Sequence, residues 1–134
     1  MWYKLVMLRL SSILLSSEKA EALTDFYQKV FDKDPEFNQG GYAGFQLGEG
    51  MFVVGPHDQV HGENKNPERI LFNFETEDVE GDFKRIKELG AKVVKEPYDP
   101  SGGDGSEMSI ATFADPDGNY FQIASPMKPP SEAN

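Results

Sequence analysis

The sequence predicts an α+β fold made of two βαβββ modules. Three observations carry that prediction. The order strand, helix, three strands occurs twice; the pair Asp25-Phe26 in the first predicted helix recurs as Asp82-Phe83 in the second; and a polar connection from Pro56 to Pro67 separates the two runs. At 134 residues the chain allows one domain, or one domain built from two halves, and can bury roughly two thirds of its unfolded surface. The modules are expected at about 4–56 and 69–125 of a single domain spanning 1–134, with the connection at about 57–68 and a loose tail over 126–134.

In the first half, residues 4 to 16 are rich in Leu, Val, Ile and Met and read as a strand. Ser16 or Ser17 can then cap a helix whose apolar positions Leu23, Phe26, Tyr27 and Val30 follow the i, i+3, i+4, i+7 spacing of one face. Asp34-Pro35 is expected to stop it. Gly40-Gly41 and Gly48-Glu49-Gly50 are turn signals that separate short strands at Tyr42 to Leu47 and Met51 to Val54, a small antiparallel meander. The second half opens with a strand from Ile70 to Thr76. Asp78 can cap a helix that turns Val79, Phe83, Ile86 and Leu89 inward, and Gly90 ends it. Ala91 to Lys95 is a short strand, Pro97 to Glu107 a loop, and Met108 to Ala114 and Tyr120 to Ala124 are two more strands. The turn between them, Asp115-Pro116-Asp117-Gly118-Asn119, has a structural explanation of its own. Proline fixes φ, Gly118 or Asn119 takes a positive φ, and the aspartates bond neighbouring amides.

Composition excludes several functions. Thirteen Lys and Arg against 23 Asp and Glu give a formal charge of −10, which disfavours nucleic acid and anionic membrane surfaces alike. With no cysteine there is no disulfide framework, thiolate metal site or cysteine nucleophile, which fits a reducing, cytoplasmic setting. Arg9 interrupts the apolar region of the first 17 residues and no small-x-small site follows, so a strand is preferred there to a secretory signal. No run approaches the roughly 20 apolar residues of a membrane helix.

The element order, together with Asp25-Phe26-Tyr27 and the stretch Asp115-Pro116-Asp117-Gly118-Asn119-Tyr120-Phe121-Gln122-Ile123, resembles the vicinal oxygen chelate superfamily over roughly residues 5 to 125. That superfamily includes glyoxalases, extradiol dioxygenases and bleomycin-resistance-type binding proteins. The resemblance implies curled mixed sheets with helices on the outer face, a ligand or metal held on the concave side, and a homodimer. It further implies metal ligands of His, Glu or Gln type on four strands. Carried onto this chain, those positions fall on Ser12, chosen within Ser11 to Leu14, and on Val53, Leu71 and Gln122. A one-residue slip would bring Ile70 or Phe72 to the third position, and neither coordinates. Catalytic zinc needs about three imidazole, carboxylate or thiolate ligands, so no metal and no other cofactor is expected.

His57 and His61, with Asp58 and Glu63 nearby, read as a solvated polar loop; a surface metal site is the alternative. With no histidine on a predicted strand or helix, no catalytic triad is available and no catalytic residue is assigned. Alternation along the strands sends Ile70, Phe72, Phe74, Phe121 and Ile123 to the core. It leaves Leu71, Asn73, Glu75, Tyr120 and Gln122 on the opposite face, with Met51 and Val53 opposite Phe52 and Val54 in the first half. Glu75 and Tyr120 are either solvated at strand ends or ligand contacts. The acids Glu75, Glu77, Asp78, Glu80 and Asp82 read as a solvated face, two of them suited to a helix N-terminus. Ser101 to Gly105 lacks the Lys-Ser/Thr ending of a phosphate cradle and reads as a loop able to cover the cleft.

The expected function is metal-free binding of a small molecule, as in the bleomycin-resistance branch. The ligand would be amphipathic, a cationic one being favoured by the charge. The ligand-binding residues would be Ser12, Val53, Leu71, Asn73, Glu75, Tyr120 and Gln122. A glyoxalase- or dioxygenase-like metal enzyme and a regulatory or interaction domain are the two alternatives.

Overall fold

The structure is a computed structural model that describes residues 8–103 and 108–126. Residues 4–7 of the expected first strand, residues 104–107 of the glycine-rich loop and the tail from residue 127 lie outside the described residues. The chain divides into two compact units between Gly62 and Glu63, inside the expected connection. No helix of the described residues is long and apolar enough to cross a membrane.

The first unit runs β1 (Ser12–Ser17), α1 (Ala20–Phe31), β2 (Phe37–Gln39), β3 (Tyr42–Leu47) and β4 (Gly50–Pro56). Its four-stranded mixed sheet has the order β1-β4-β3-β2, with β1 parallel to β4 and the other pairs antiparallel. One face packs under α1. Leu23, Tyr27 and Val30 of the helix are buried with Ala43, Phe45, Phe52 and Val54 of the sheet. Ring contacts knit the layer: Tyr27 to Phe52 at 4.9 Å, and Phe31 to Phe45 and Phe52 at 5.2 and 5.6 Å.

Three local expectations change in this unit. The strand starts at Ser12, and Leu8 and Leu10 before it are 88% and 85% exposed. Ser17 does not cap α1, because its Oγ accepts from the Lys19 backbone N–H at 2.9 Å and the N-cap position falls to Lys19 without a side-chain bond. The helix stops before Asp34-Pro35: Asp32 takes the left-handed conformation (φ 54°) and its N–H bonds Gln28 O, one of the few non-glycine residues that tolerate this geometry.

The second unit contains a short 3-10 turn (Pro67–Arg69), then β5 (Phe72–Glu75), α2 (Val79–Glu88), β6 (Lys92–Tyr98), β7 (Ile110–Ala114) and β8 (Tyr120–Ala124). The sheet order is β5-β8-β7-β6, with only β5–β8 parallel. Both units therefore have the βαβββ order and an open mixed sheet with a helix on one face. Val79, Phe83 and Ile86 are buried against this sheet, and Phe113 stacks between Phe83 and Phe121 at 5.3 and 5.5 Å. Asp78 caps α2 as expected, its Oδ1 accepting from Gly81 N–H at 3.0 Å.

Two apolar residues assigned to the core lie outside it. Ile70 is 64% exposed, since the 3-10 turn delays β5 to Phe72. Leu89 is 44% exposed because the helix ends at Glu88, while Ala91 after it is buried. β6 is also longer than expected, running through Pro97 to Tyr98. It is an edge strand whose register shifts on either side of Lys95, so the missing proline N–H breaks no regular ladder.

The turn between β7 and β8 is built on Asp115, which is only 5% exposed. Its Oδ1 accepts from the N–H groups of Asp117 and Asn119, both at 2.9 Å, and its Oδ2 accepts from Asn119 Nδ2 at 2.9 Å. Asn119 Oδ1 in turn accepts from Asn64 Nδ2 at 3.0 Å, and Asn64 N–H bonds Asp117 O at 2.8 Å. The turn thus also anchors the start of its own unit.

Candidate functional site

Each sheet covers one face with its helix and leaves the other open, and strand register decides which side chains share the open face. In the first sheet Leu14, Val53, Gly44 and Phe37 form one cross-strand row, and Ser12, Met51 and Gln46 the next. This face is mainly apolar. Leu14 is 56% exposed, and Val53 and Met51 are half-buried. Two aromatic rings lie on its glycines: a Cβ on Gly44 would collide with the Phe37 ring, and one on Gly55 with the Tyr42 ring. Both positions need glycine for this close approach. The Tyr42 hydroxyl also donates to Pro56 O at 3.2 Å, which holds the ring in place.

In the second sheet the open face is polar and its middle is uncharged. Asn73, Gln122 and Thr112 stand in one row across three strands, with Lys95 on the edge strand beside them. Gln122 Nε2 donates to Thr112 Oγ1 at 3.0 Å. Tyr120, Ala114 and Lys92 flank the row on one side, and Glu75, Ala124, Ile110 and Tyr98 on the other. Lys95 Nζ lies 5.0 Å from the centre of the Tyr98 ring.

The sequence-predicted residues are distributed as follows. Ser12 and Val53 share the first open face, Ser12 standing opposite Met51 and Leu14 opposite Val53. Asn73, Glu75, Tyr120 and Gln122 share the second. Leu71 is 39% exposed and precedes β5, so it belongs to no strand. Sequence reasoning missed Thr112, Phe37 and Tyr42. Thr112 was findable, because pairing the two strands across the Asp115–Asn119 turn sets it beside Gln122. Phe37 offered no signal, lying in a three-residue strand outside any predicted element.

The positions implied for metal ligands carry a hydroxyl, two aliphatic groups and one amide. That donor set does not fit a divalent cation of the kind the fold family binds. Among the described residues no group of three or more His, Asp or Glu gathers as a metal site. The two histidines are engaged locally. His57 Nδ1 accepts from Gln59 N–H at 3.1 Å, and His61 Nδ1 lies 3.1 Å from Glu18 Oε2. The His61 hydrogen bond, followed by that from Gly62 N–H, holds the Glu18 carboxyl below the usual carboxylate range.

The sequence matches the glyoxalase-like domain family over residues 12–124. Among curated proteins no relative matches. Solved structures with the same fold include a glyoxalase/bleomycin resistance protein/dioxygenase family enzyme from Burkholderia phytofirmans PsJN, which is 20% identical, with 90% of this chain and 100% of that one covered and a TM-score of 0.69. A glyoxalase-related enzyme from Fulvimarina pelagi is 19% identical, covering 90% of this chain and 89% of its own, at a TM-score of 0.70. TioX from Micromonospora sp. ML1 is 15% identical, covering 89% and 99%, at 0.69. These likenesses establish the fold, and the match over residues 12–124 establishes the lineage: the chain belongs to the glyoxalase-like domain family of the vicinal oxygen chelate superfamily.

Proposed function

We propose that this chain is a small-molecule binding protein, similar to bleomycin-resistance-type proteins, that sequesters an amphipathic ligand on the open face of one or other of its sheets without a metal and without chemical change. One observation carries the reading. The side chains that register brings onto those faces offer apolar surface and neutral hydrogen-bonding groups in place of metal donors. The formal charge of −10 favours encounter with a cationic compound, and the acting form is a cytoplasmic homodimer.

Elemental analysis of freshly purified, untagged protein, paired with a thermal-shift screen of amphipathic compounds, tests this. The expected result is substoichiometric metal, a melting temperature indifferent to chelator, and stabilisation by a compound recovered unchanged. At a hundredfold excess over Kd a specific ligand adds about 2.7 kcal/mol. A stoichiometric ion whose removal destroys an activity would establish a metal-dependent enzyme instead. A screen without a single stabilising compound would favour an interaction domain.

A further inference from the structure

We infer that the second sheet reads an uncharged carboxamide-type group on the ligand (an amide, lactam or urea) through paired hydrogen bonds to Asn73 and Gln122. This inference rests on the ligand-binding reading above and names the chemical class that one face selects.

The argument begins with hydrogen-bonding capacity. Asn73 is exposed on the edge strand β5, and its amide makes no hydrogen bond to the described residues. Gln122, opposite it in register, commits Nε2 to Thr112, which leaves its Oε1 as an acceptor at a fixed place. The Tyr120 hydroxyl, two residues earlier on the same face, is likewise without a partner among the described residues. Neighbouring strands run about 4.8 Å apart, so two amides facing each other across that gap converge on one planar group at ordinary hydrogen-bond lengths. Asn73 supplies a donor and an acceptor, and Gln122 an acceptor with one Nε2 hydrogen left over. A group carrying both N–H and C=O matches that set.

The charges argue against an ionic group. Glu75 on β5 and Lys92 and Lys95 on β6 are the ionised residues bordering the row. All three are exposed, and Lys95 is drawn over the Tyr98 ring. None of them belongs to the row of Asn73, Gln122 and Thr112, so an ion seated over Asn73 and Gln122 would exchange hydration for neutral dipoles. Ala124, two residues after Gln122 on β8, adds only a short apolar side chain beside it. Any cationic moiety that the acidic chain attracts therefore belongs to another part of the ligand. Thr112 acts as a positioning residue, holding the Gln122 amide in one orientation.

Benzamide, benzoate and benzamidine share one shape and differ in charge, which makes them suitable probes. Each is titrated into the full chain while the backbone and side-chain amide NMR signals are followed. Benzamide is expected to shift the side-chain amides of Asn73 and Gln122 and to bind at least about tenfold more tightly than either ion, the equivalent of about 1.4 kcal/mol. Asn73→Ala and Gln122→Leu, checked for an unchanged backbone spectrum, should abolish those shifts. Thr112→Val should weaken benzamide binding while Thr112→Ser preserves it. Asn73→Asp should transfer the preference to benzamidine. Tighter binding of benzamidine or benzoate to the unaltered row would overturn the inference and leave the binding reading intact. Shifts by all three probes confined to the first sheet would do the same. Absence of any shift on either face, at saturating probe, would overturn both.

Discussion

Replacing Asp115 by asparagine should destabilise the protein by about 2 kcal/mol, although the change is a single atom. The side chain is 5% exposed and its partner Asn119 is 8% exposed, so water cannot take over lost bonds. Asparagine keeps an oxygen for the N–H groups of Asp117 and Asn119 but makes those bonds neutral, and charge-assisted bonds are roughly twice as strong. It also sets an NH2 donor against Asn119 Nδ2, where the carboxylate now accepts at 2.9 Å; an unmet buried donor costs about 1–3 kcal/mol. Asn119 could turn its amide over to escape. That would place donor against donor at Asn64, whose own Oδ1 is held by Asn66 N–H at 2.9 Å. Orientation is thus transmitted from Asp115 through Asn119 to Asn64. Urea denaturation measures the effect, which corresponds to about 8 °C in melting temperature for a chain of this size. In an Asn64→Ala background Asn119 is free to turn, and the penalty of Asp115→Asn should shrink by about 1 kcal/mol. Equal penalties in the two backgrounds, or a wild-type midpoint for Asp115→Asn, would refute the chain of orientation.

Three further outcomes follow from the same geometry. Phe121→Ala, which empties a fully buried position stacked on Phe113, should cost about 3–5 kcal/mol in a denaturant titration. Gly55→Ala should push the Tyr42 ring off the first sheet and break its bond to Pro56, read as loss of ring-to-backbone contacts in NMR spectra. Glu36 is bonded first by Lys33 Nζ and next by Gln46 N–H, which lowers its pKa from the ordinary 4.5. Its folded form binds fewer protons than the unfolded one, so its contribution is present above pH 4.5 and is lost as pH falls through the folded value. Carboxyl NMR should place the Glu36 midpoint below that of Glu36 in urea-unfolded protein, and Lys33→Ala should raise it.

Much of the fold was legible because periodicity and turn chemistry agreed. The spacing of Leu23, Tyr27 and Val30 located α1, Asp78 and Gly90 bracketed α2, and the Asp115–Asn119 turn set the β7–β8 hairpin in register. Errors came where a local choice overrode the pattern. Ser17 bonded Lys19 in place of capping the helix, Asp32 took a conformation that most residues avoid, and a 3-10 turn displaced Ile70 from the core. The faces holding Val53 and Gln122 could be assigned from alternation alone, since a strand has a period of two. The hairpin turn sets Thr112 beside Gln122, but the place of Asn73 on their other side could not be read, because it depends on β5 pairing with β8 and not with another strand.

The irregular border formed by β6 bears on how concentrated solutions of this protein behave. A foreign polypeptide trying to extend the second sheet there meets a proline that offers no amide hydrogen, two slips in spacing, and the exposed, charged Lys95 and Glu96. Ordered polymerisation requires a straight, uninterrupted template, and this margin supplies none, so fibril growth from it is blocked in the native state.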